Sequence, residues 1–253
     1  MTGIREMGQC CASVRLEDKL ETVVMEYERR LGWPSTQFDV FIKQIQMHVS
    51  AGEVHMVRVP MLAYSLGIRL KGELEPGAAA IFEYIKNPEG GWIERRLAAL
   101  GTLLCQGSTV SKGNYILRCY GSEKRLITRD DMVELVADCV HIALNLLPTG
   151  AQESLVADGN ESTAARVGRY ANLLKHSVED LCIFLLGDAF SDGRTFILAD
   201  KFQEKLSSSN LKCICDSVLM RRLATRLAKQ NRDLVADESC DSSTVQEASH
   251  SDY

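Results

Sequence analysis

The pattern of apolar and polar residues is helical over most of this chain. Apolar residues recur at spacings of three and four, as in the run from Leu16 through Leu20 and Val23 to Tyr27. Strand-like alternation is scarce, so we predict an all-α protein. The segments with helical spacing are residues 15–31, 35–49, 54–70, 78–85, 92–105, 113–120, 128–147, 162–186, 199–206 and 211–230.

Polar stretches and stretches with glycine or proline divide the chain. Residues 1–14 precede the first helical pattern and are expected to form a flexible tail. The helical domain then covers residues 15–230, and halves of 15–106 and 107–230 are one way to divide it. Pro148-Thr149-Gly150 is expected to end a helix, with a loop over 151–161. Residues 231–253 are rich in Asp, Glu and Ser, which predicts a disordered tail.

Residues 113–147 have the layout of a helix, a short polar loop and a second helix. One isolated apolar pair, Leu126-Ile127, interrupts the loop. Thr128 is placed to cap the second helix, with Asp131 at its N3 position. This layout is that of an EF-hand. We therefore predict an EF-hand-like helical domain.

The loop of this unit lacks the ligands that calcium requires. An EF-hand loop needs oxygen ligands at positions 1, 3 and 5, glycine at 6 and glutamate at 12. With Ile127 at position 8, where paired loops meet, the sequence offers Tyr120 at 1, Ser122 at 3, Lys124 at 5, Arg125 at 6 and Asp131 at 12. Starting at Gly121 instead puts Arg125 at position 5. Both registers place cations where calcium would lie, so the loop is predicted to be degenerate.

A second loop, over residues 188–199, holds the weak candidates for a metal. Asp188 would stand at position 1 and Asp192 at position 5, but Ala199 at position 12 is not a ligand. With Ile197 at position 8, position 1 falls on Phe190. Asp192 and the glycine after it also form a simple turn signal. We expect this loop to pair with the first one through its isoleucine, in a short antiparallel bridge.

Charge and cysteine content narrow the class of protein. The net charge is −5, which argues against a general nucleic-acid binder. The sequence has nine cysteines, an odd number, and most of them lie in helical apolar patterns. In such positions a free cysteine packs as a small hydrophobe. This usage fits a reduced, cytoplasmic compartment. Cys213 and Cys215 are separated by one residue, which is closer than the usual spacing of a zinc-binding cysteine pair. We therefore predict no metal and no cofactor.

Catalytic chemistry has no support in the sequence. His141 and His176 each lie alone in a helical pattern, where packing or surface exposure explains them. Cys119 has apolar neighbours that argue for packing rather than a lowered pKa. Phosphate-binding, dinucleotide-binding and zinc-protease motifs are absent from the sequence. We therefore predict that the protein is not an enzyme.

The last predicted helix, 211–230, has a basic side opposite its apolar side. A face of this kind is usually solvated, and an acidic partner is the alternative. The basic residues are Arg221, Arg222, Arg226 and Lys229.

The N-terminal segment contains a lipidation-like pattern. Read from Met7, it offers Gly8 for myristoylation and Cys10 and Cys11 for palmitoylation. Two acyl chains would give durable membrane attachment where one gives only weak binding. The pattern departs from the motif at Ala12, where serine or threonine is expected. It also requires that Gly8 become the free N-terminus. A disordered tail is the alternative.

Residues 97–147 resemble the EF-hand-like N-terminal region of TLD-domain-containing proteins, in particular the lysosome-linked, mTOR-associated type. The matching features are the run LAALGTLLCQGS, the short helix, the ligand-poor loop and the helix RDDMVELVADCVHIAL. Such proteins begin with a myristoylatable Met-Gly, which Met7-Gly8 would match. The resemblance covers about fifty residues and does not extend to the β-rich TLD domain. A stand-alone relative and a truncated form of a longer protein both fit it.

Together these observations lead to one functional hypothesis and one alternative. The hypothesis is a non-enzymatic, EF-hand-like scaffold or regulatory protein that acts in signalling through a protein partner. Its location would be cytoplasmic or, through the N-terminus, at a membrane surface. The alternative is a calcium sensor that uses the loop over 188–199.

Overall fold

Helices make up most of the protein, which confirms the predicted helical class. The computed structural model describes residues 18–68, 74–121 and 126–241, with side chains described as far as residue 230. Short 3-10 helices cover Trp33–Ser35 and Asn210–Cys215. The α-helices are α1 (18–30), α2 (Phe38–His48), α3 (Val59–Ser65), α4 (Ala78–Ile85), α5 (Glu94–Leu104), α6 (Thr109–Cys119), α7 (Arg129–Val140), α8 (Leu147–Ala157), α9 (Glu161–His176), α10 (Val178–Ala189), α11 (Ala199–Ser208) and α12 (Ser217–Asp241).

Five very short strands form two antiparallel sheets in the described parts of the chain. The first sheet joins β1 (Val49–Ser50), β2 (Glu53–Val54) and β3 (Trp92–Ile93) in that order. The second joins β4 (Leu126–Thr128) to β5 (Phe196–Leu198), and Ile127 lies opposite Ile197. The bridge expected between the two isoleucine-containing loops is therefore confirmed. The first sheet was not predicted, because Val54 falls in a segment with helical spacing.

Each sheet joins two helix–strand–helix units. In the first pair, β2 connects α2 to α3, and β3 connects α4 to α5. In the second pair, β4 connects α6 to α7, and β5 connects α10 to α11. A single apolar core runs through both pairs and includes Phe41, Trp92 and Leu135, each at most 1% exposed. The predicted halves 15–106 and 107–230 thus contribute to one shared core.

The helix that begins at Arg129 does not end at Pro148, so that prediction was wrong. It continues through a π-helical segment, His141–Leu146, directly into α8 and ends at Ala157. Pro148 has no backbone N–H and cannot make the usual helical hydrogen bond. A π segment shifts the hydrogen-bond pattern of the helix, so the helix can continue past the proline. Buried Leu147 and Ala151 continue the apolar face. The predicted loop over 151–161 is thus helical in its first part.

This continuous helix, Arg129–Ala157, is long and apolar enough to cross a membrane by length and composition alone. Its most apolar window has a mean hydropathy of 1.4. However, 61% of that window is buried inside the protein. The core helix of a globular protein meets the same criteria, so the helix is weak support for a membrane span.

The C-terminal helix differs from the prediction at both ends. It begins at Ser217 rather than Leu211, because the Asp216 carboxylate accepts hydrogen bonds from the backbone N–H of Val218 and Leu219. It ends at Asp241, so the tail predicted to be disordered from Asn231 is helical over its first eleven residues. Residues 242–253 lie outside the described chain.

The prediction that Arg221 belongs to a solvated basic face was also wrong. Arg221 is 0% exposed and lies between Glu21 and Glu28 of α1. Its Nη2 lies 2.6 Å from Glu21 Oε1, and its Nη1 lies 2.7 Å from Glu28 Oε1. Tyr170 of α9 donates to Glu21, and Ser217 donates to Glu28. This network fastens α1 to α9 and α12.

Candidate functional site

Several residues singled out in the sequence lie outside the described parts of the chain. They are Gly8, Cys10, Cys11, Ser122 and Lys124. The lipid-anchor prediction therefore stays a prediction.

Tyr120 and Asp131, at the two ends of the first predicted loop, have structural roles. The Tyr120 hydroxyl is buried and lies 2.7 Å from Asp138 Oδ2 and 2.8 Å from the Arg95 carbonyl oxygen, so its single O–H proton is shared between these two acceptors. It therefore faces the interior. Asp131 Oδ2 accepts from Thr128 N at 2.9 Å, and Thr128 Oγ1 accepts from Asp131 N at 3.2 Å. This capping box confirms the predicted start of α7.

The two aspartates of the second loop are not brought together as a metal site. Asp188 lies in the last turn of α10, before the loop begins. Asp192 Oδ1 accepts from Arg194 N at 3.2 Å, and Gly193 has a positive φ of 76°, as expected for a turn. No group of three or more His, Cys, Asp or Glu side chains that could hold a metal ion occurs among the described residues.

The loops of the first sheet show a regularity that the sequence analysis missed. Gly52 stands two residues before Val54, and Gly90 stands two residues before Trp92, and both glycines have positive φ. Asn87 closes the second of these loops, since its Oδ1 accepts from Gly91 N at 2.7 Å and from Glu89 N. The signal available in the sequence was this repeated spacing of a glycine and a large apolar residue.

A buried polar cluster lies beside the π-helical segment. Both oxygens of Asp138 accept hydrogen bonds from phenols, those of Tyr84 and Tyr120. The Arg96 guanidinium and the His141 ring each lie 4.6 Å from the Tyr84 ring. Burial raises the pKa of both phenols and lowers the pKa of His141. The phenols therefore stay protonated at neutral pH, and the cluster joins α4 and α5 to α6 and α7.

The described cysteines are free and mostly buried. Burial raises the pKa of Cys105 and Cys119 to about 12 and that of Cys215 to about 11. Because only the thiolate is a good nucleophile, these thiols have low reactivity at neutral pH. Their role in the structure is packing.

The feature best suited to an interaction is a group of exposed apolar side chains on α2, on α3 and in the segment that precedes α3. Six of the twelve large hydrophobic side chains exposed among the described residues lie within residues 40–64. Val40 and Met47 lie seven residues apart on α2, and Met61 and Tyr64 lie three apart on α3, which packs against α2. We call these six side chains the methionine-rich surface: Val40, Met47, Met56, Val57, Met61 and Tyr64.

A cleft adjoins the methionine-rich surface. It has a volume of about 410 Å³ and is lined by Met56 and Val57 together with His48 and Asn87. Tyr64 is the most exposed of the six side chains, at 87%. The six side chains of this surface are therefore exposed to solvent, and two of them line the cleft.

Comparison of the chain with protein-family models, with curated proteins and with solved structures gives no match in any of the three. The described chain is mostly helical, with two pairs of helix–strand–helix units and an exposed methionine-rich surface.

Proposed function

We propose that this protein is a non-enzymatic, EF-hand-like scaffold or regulatory protein that binds a protein partner through its methionine-rich surface. The observation that carries the proposal is the concentration of exposed methionine, valine and tyrosine side chains on α2, on α3 and in the segment that precedes α3. Contiguous exposed apolar side chains mark interaction sites on soluble proteins. Methionine is common on such surfaces because its flexible, polarisable side chain adapts to different partners.

The pairing of the second sheet supports the EF-hand-like interpretation. Two helix–strand–helix units joined by a short antiparallel strand pair are the arrangement of paired EF-hands. The strand register centres on Ile127 and Ile197, which corresponds to position 8 in each loop. Position 1 then falls on Tyr120 and Phe190, and neither side chain is a calcium ligand.

The first pair of units follows the same geometry. If Val54 and Trp92 stand at position 8, Gly52 and Gly90 stand at position 6, where an EF-hand loop turns sharply through a glycine. The end positions 1 and 12 are held by apolar side chains and arginines: Met47, Ile85, Arg58 and Arg96. The turn is kept while the ligands are absent, which supports a calcium-independent scaffold.

A photo-crosslinking experiment tests the proposed surface. We expect a photoreactive residue at Met61 to capture a specific partner in native cells, and the same residue at Ile183 of α10 not to capture it. Both positions are strongly exposed, at 63% and 64%, so only their surroundings differ. The captured partner is then identified by mass spectrometry.

The double substitution Met61→Glu and Tyr64→Glu should weaken binding of that partner roughly thirtyfold or more, the loss typical of central interface residues. Ile183→Glu is the matched control and should leave binding unchanged. Urea unfolding midpoints of both variants should match the parent, because the replaced side chains are exposed. Equal capture at both positions, or unaltered binding by the double variant, would contradict the proposal.

A calcium titration separates the scaffold from the calcium-sensor alternative. We expect isothermal calorimetry to give no binding heat with micromolar Ca²⁺, because the register set by Ile197 places Phe190 and Lys201 at positions 1 and 12. A micromolar binding signal that Asp188→Ala abolishes would instead establish the loop over 188–199 as a sensor site.

A further inference from the structure

A second cleft is lined by residues of α1, α5, α6 and α12 and of the two 3-10 helices, and it shares no lining residue with the methionine-rich surface. Its volume is about 450 Å³, which is within the range of small-molecule sites. Met25 of α1, Pro34 and Leu103 form apolar parts of the lining. Lys112 and Ser217 contribute polar groups from the first turns of α6 and α12. The cleft is therefore amphiphilic.

Lys112 is the unusual member of this lining, because it is a lysine with only 5% of its surface exposed. Its Nζ donates to the Cys215 carbonyl at 2.8 Å, and it forms no ion pair with any carboxylate among the described residues. An ammonium group has three N–H donors, and two of those on Lys112 make no hydrogen bond to a described protein group. The same Nζ also lies 5.9 Å from the centroid of the Phe38 ring. Burial also lowers the Lys112 pKa, as expected for a cation without a close counter-ion.

The carboxylates that line the cleft are already engaged. Glu28 accepts from Arg221 and from Ser217. Asp216 accepts from the first backbone N–H groups of α12. Lys212 and Arg29 are exposed and also line the cleft, and Arg29 is paired with Glu26. Within a chain of net charge −5, this cleft therefore offers unused donors and positive charge.

We propose that this cleft binds a small amphiphilic oxyanion, a carboxylate or phosphate monoester on an apolar body. The head group accepts the two unused N–H groups of Lys112, and the body packs on Met25, Pro34 and Leu103. This site is separate from the methionine-rich surface, so it does not depend on the proposed scaffold function.

Titrations of the full-length protein with octanoate, octyl phosphate and octanol test the proposal. We expect at least one of the two acids to raise the melting temperature and to shift the NMR methyl resonance of Met25, while that of Met61 stays unchanged. Octanol, which has the same body without the charge, should do neither. The comparison of the two acids shows which head group is preferred.

Lys112→Met should weaken binding of that acid at least about tenfold, since a charged hydrogen-bond donor is lost. Lys175→Met, which replaces an exposed lysine on α9, should bind as the parent does. Equal binding of octanol, no shift at Met25 with either acid, or unchanged affinity in Lys112→Met would overturn the proposal. If that variant fails to fold, the Met25 resonance of the parent protein still decides between the acids and octanol.

Discussion

Replacing Arg221 with methionine is expected to lower the free energy of unfolding by about 3–5 kcal/mol. The guanidinium is fully buried and contacts Glu21 and Glu28, which themselves are 3% and 4% exposed. Burial disfavours the charged guanidinium, but the two glutamates outweigh this and raise the Arg221 pKa. Removal of the arginine leaves two carboxylates buried without their counter-ion, which is the costly way to break a buried ion pair.

Urea unfolding followed by circular dichroism measures this loss. Arg222→Met is the matched control, because the next residue on the same helix is an exposed arginine. Its effect should stay within about 0.5 kcal/mol. Similar losses in the two variants would show that the buried network does not hold α1 against α12.

Replacing Gly77 with alanine is expected to lower the free energy of unfolding by roughly 2–4 kcal/mol. Gly77 has a φ of +82°, which an alanine adopts only with strain. Its added Cβ would also lie 2.4 Å from the Cα of Gly150 in α8. That neighbour is backbone in a buried helix, so it cannot rotate away as a flexible side chain could.

Gly90→Ala separates the two contributions, because Gly90 has the same φ of +82° but nothing within 4 Å of the added Cβ. We expect this control to lose only about 1–2 kcal/mol. The difference between the two unfolding free energies measures the close approach of α4 to α8. Equal losses in both variants would mean that the backbone contact at Gly150 contributes nothing.

Local features of the sequence were sufficient for many elements of the fold. Helical spacing of apolar residues predicted most of the helices, because the period of 3.6 residues appears directly in the order of side chains. Thr128 and Asp131 predicted the start of α7, since a capping box involves only neighbouring residues. The pairing of Ile127 with Ile197 was also predictable, because each isoleucine is an apolar residue in a polar loop that a partner strand can bury.

Other features depend on neighbours that are distant in sequence. Whether a proline ends a helix depends on whether the residues that follow the proline pack against the rest of the protein. Leu147 and Ala151 are buried on both sides of Pro148, and the helix continues to Ala157. The first sheet was missed because two-residue strands are too short to show alternation. The methionine-rich surface was missed because an amphipathic pattern shows that one face of a helix is apolar, without showing whether another element covers it.

Residue types within a few positions of each other were enough to predict the helical class and the cap of α7, because helical spacing and capping are local properties. Which charges are buried and which apolar side chains stay exposed depends on contacts that form only in the folded chain. Arg221 and Arg222 are adjacent and chemically identical, yet one is buried and the other is exposed. The physical reason is that burial of a charge requires partners, and those of Arg221 come from α1, 193 and 200 residues away. The same reason applies to Lys112, whose cleft is lined by helices that meet only in the folded chain.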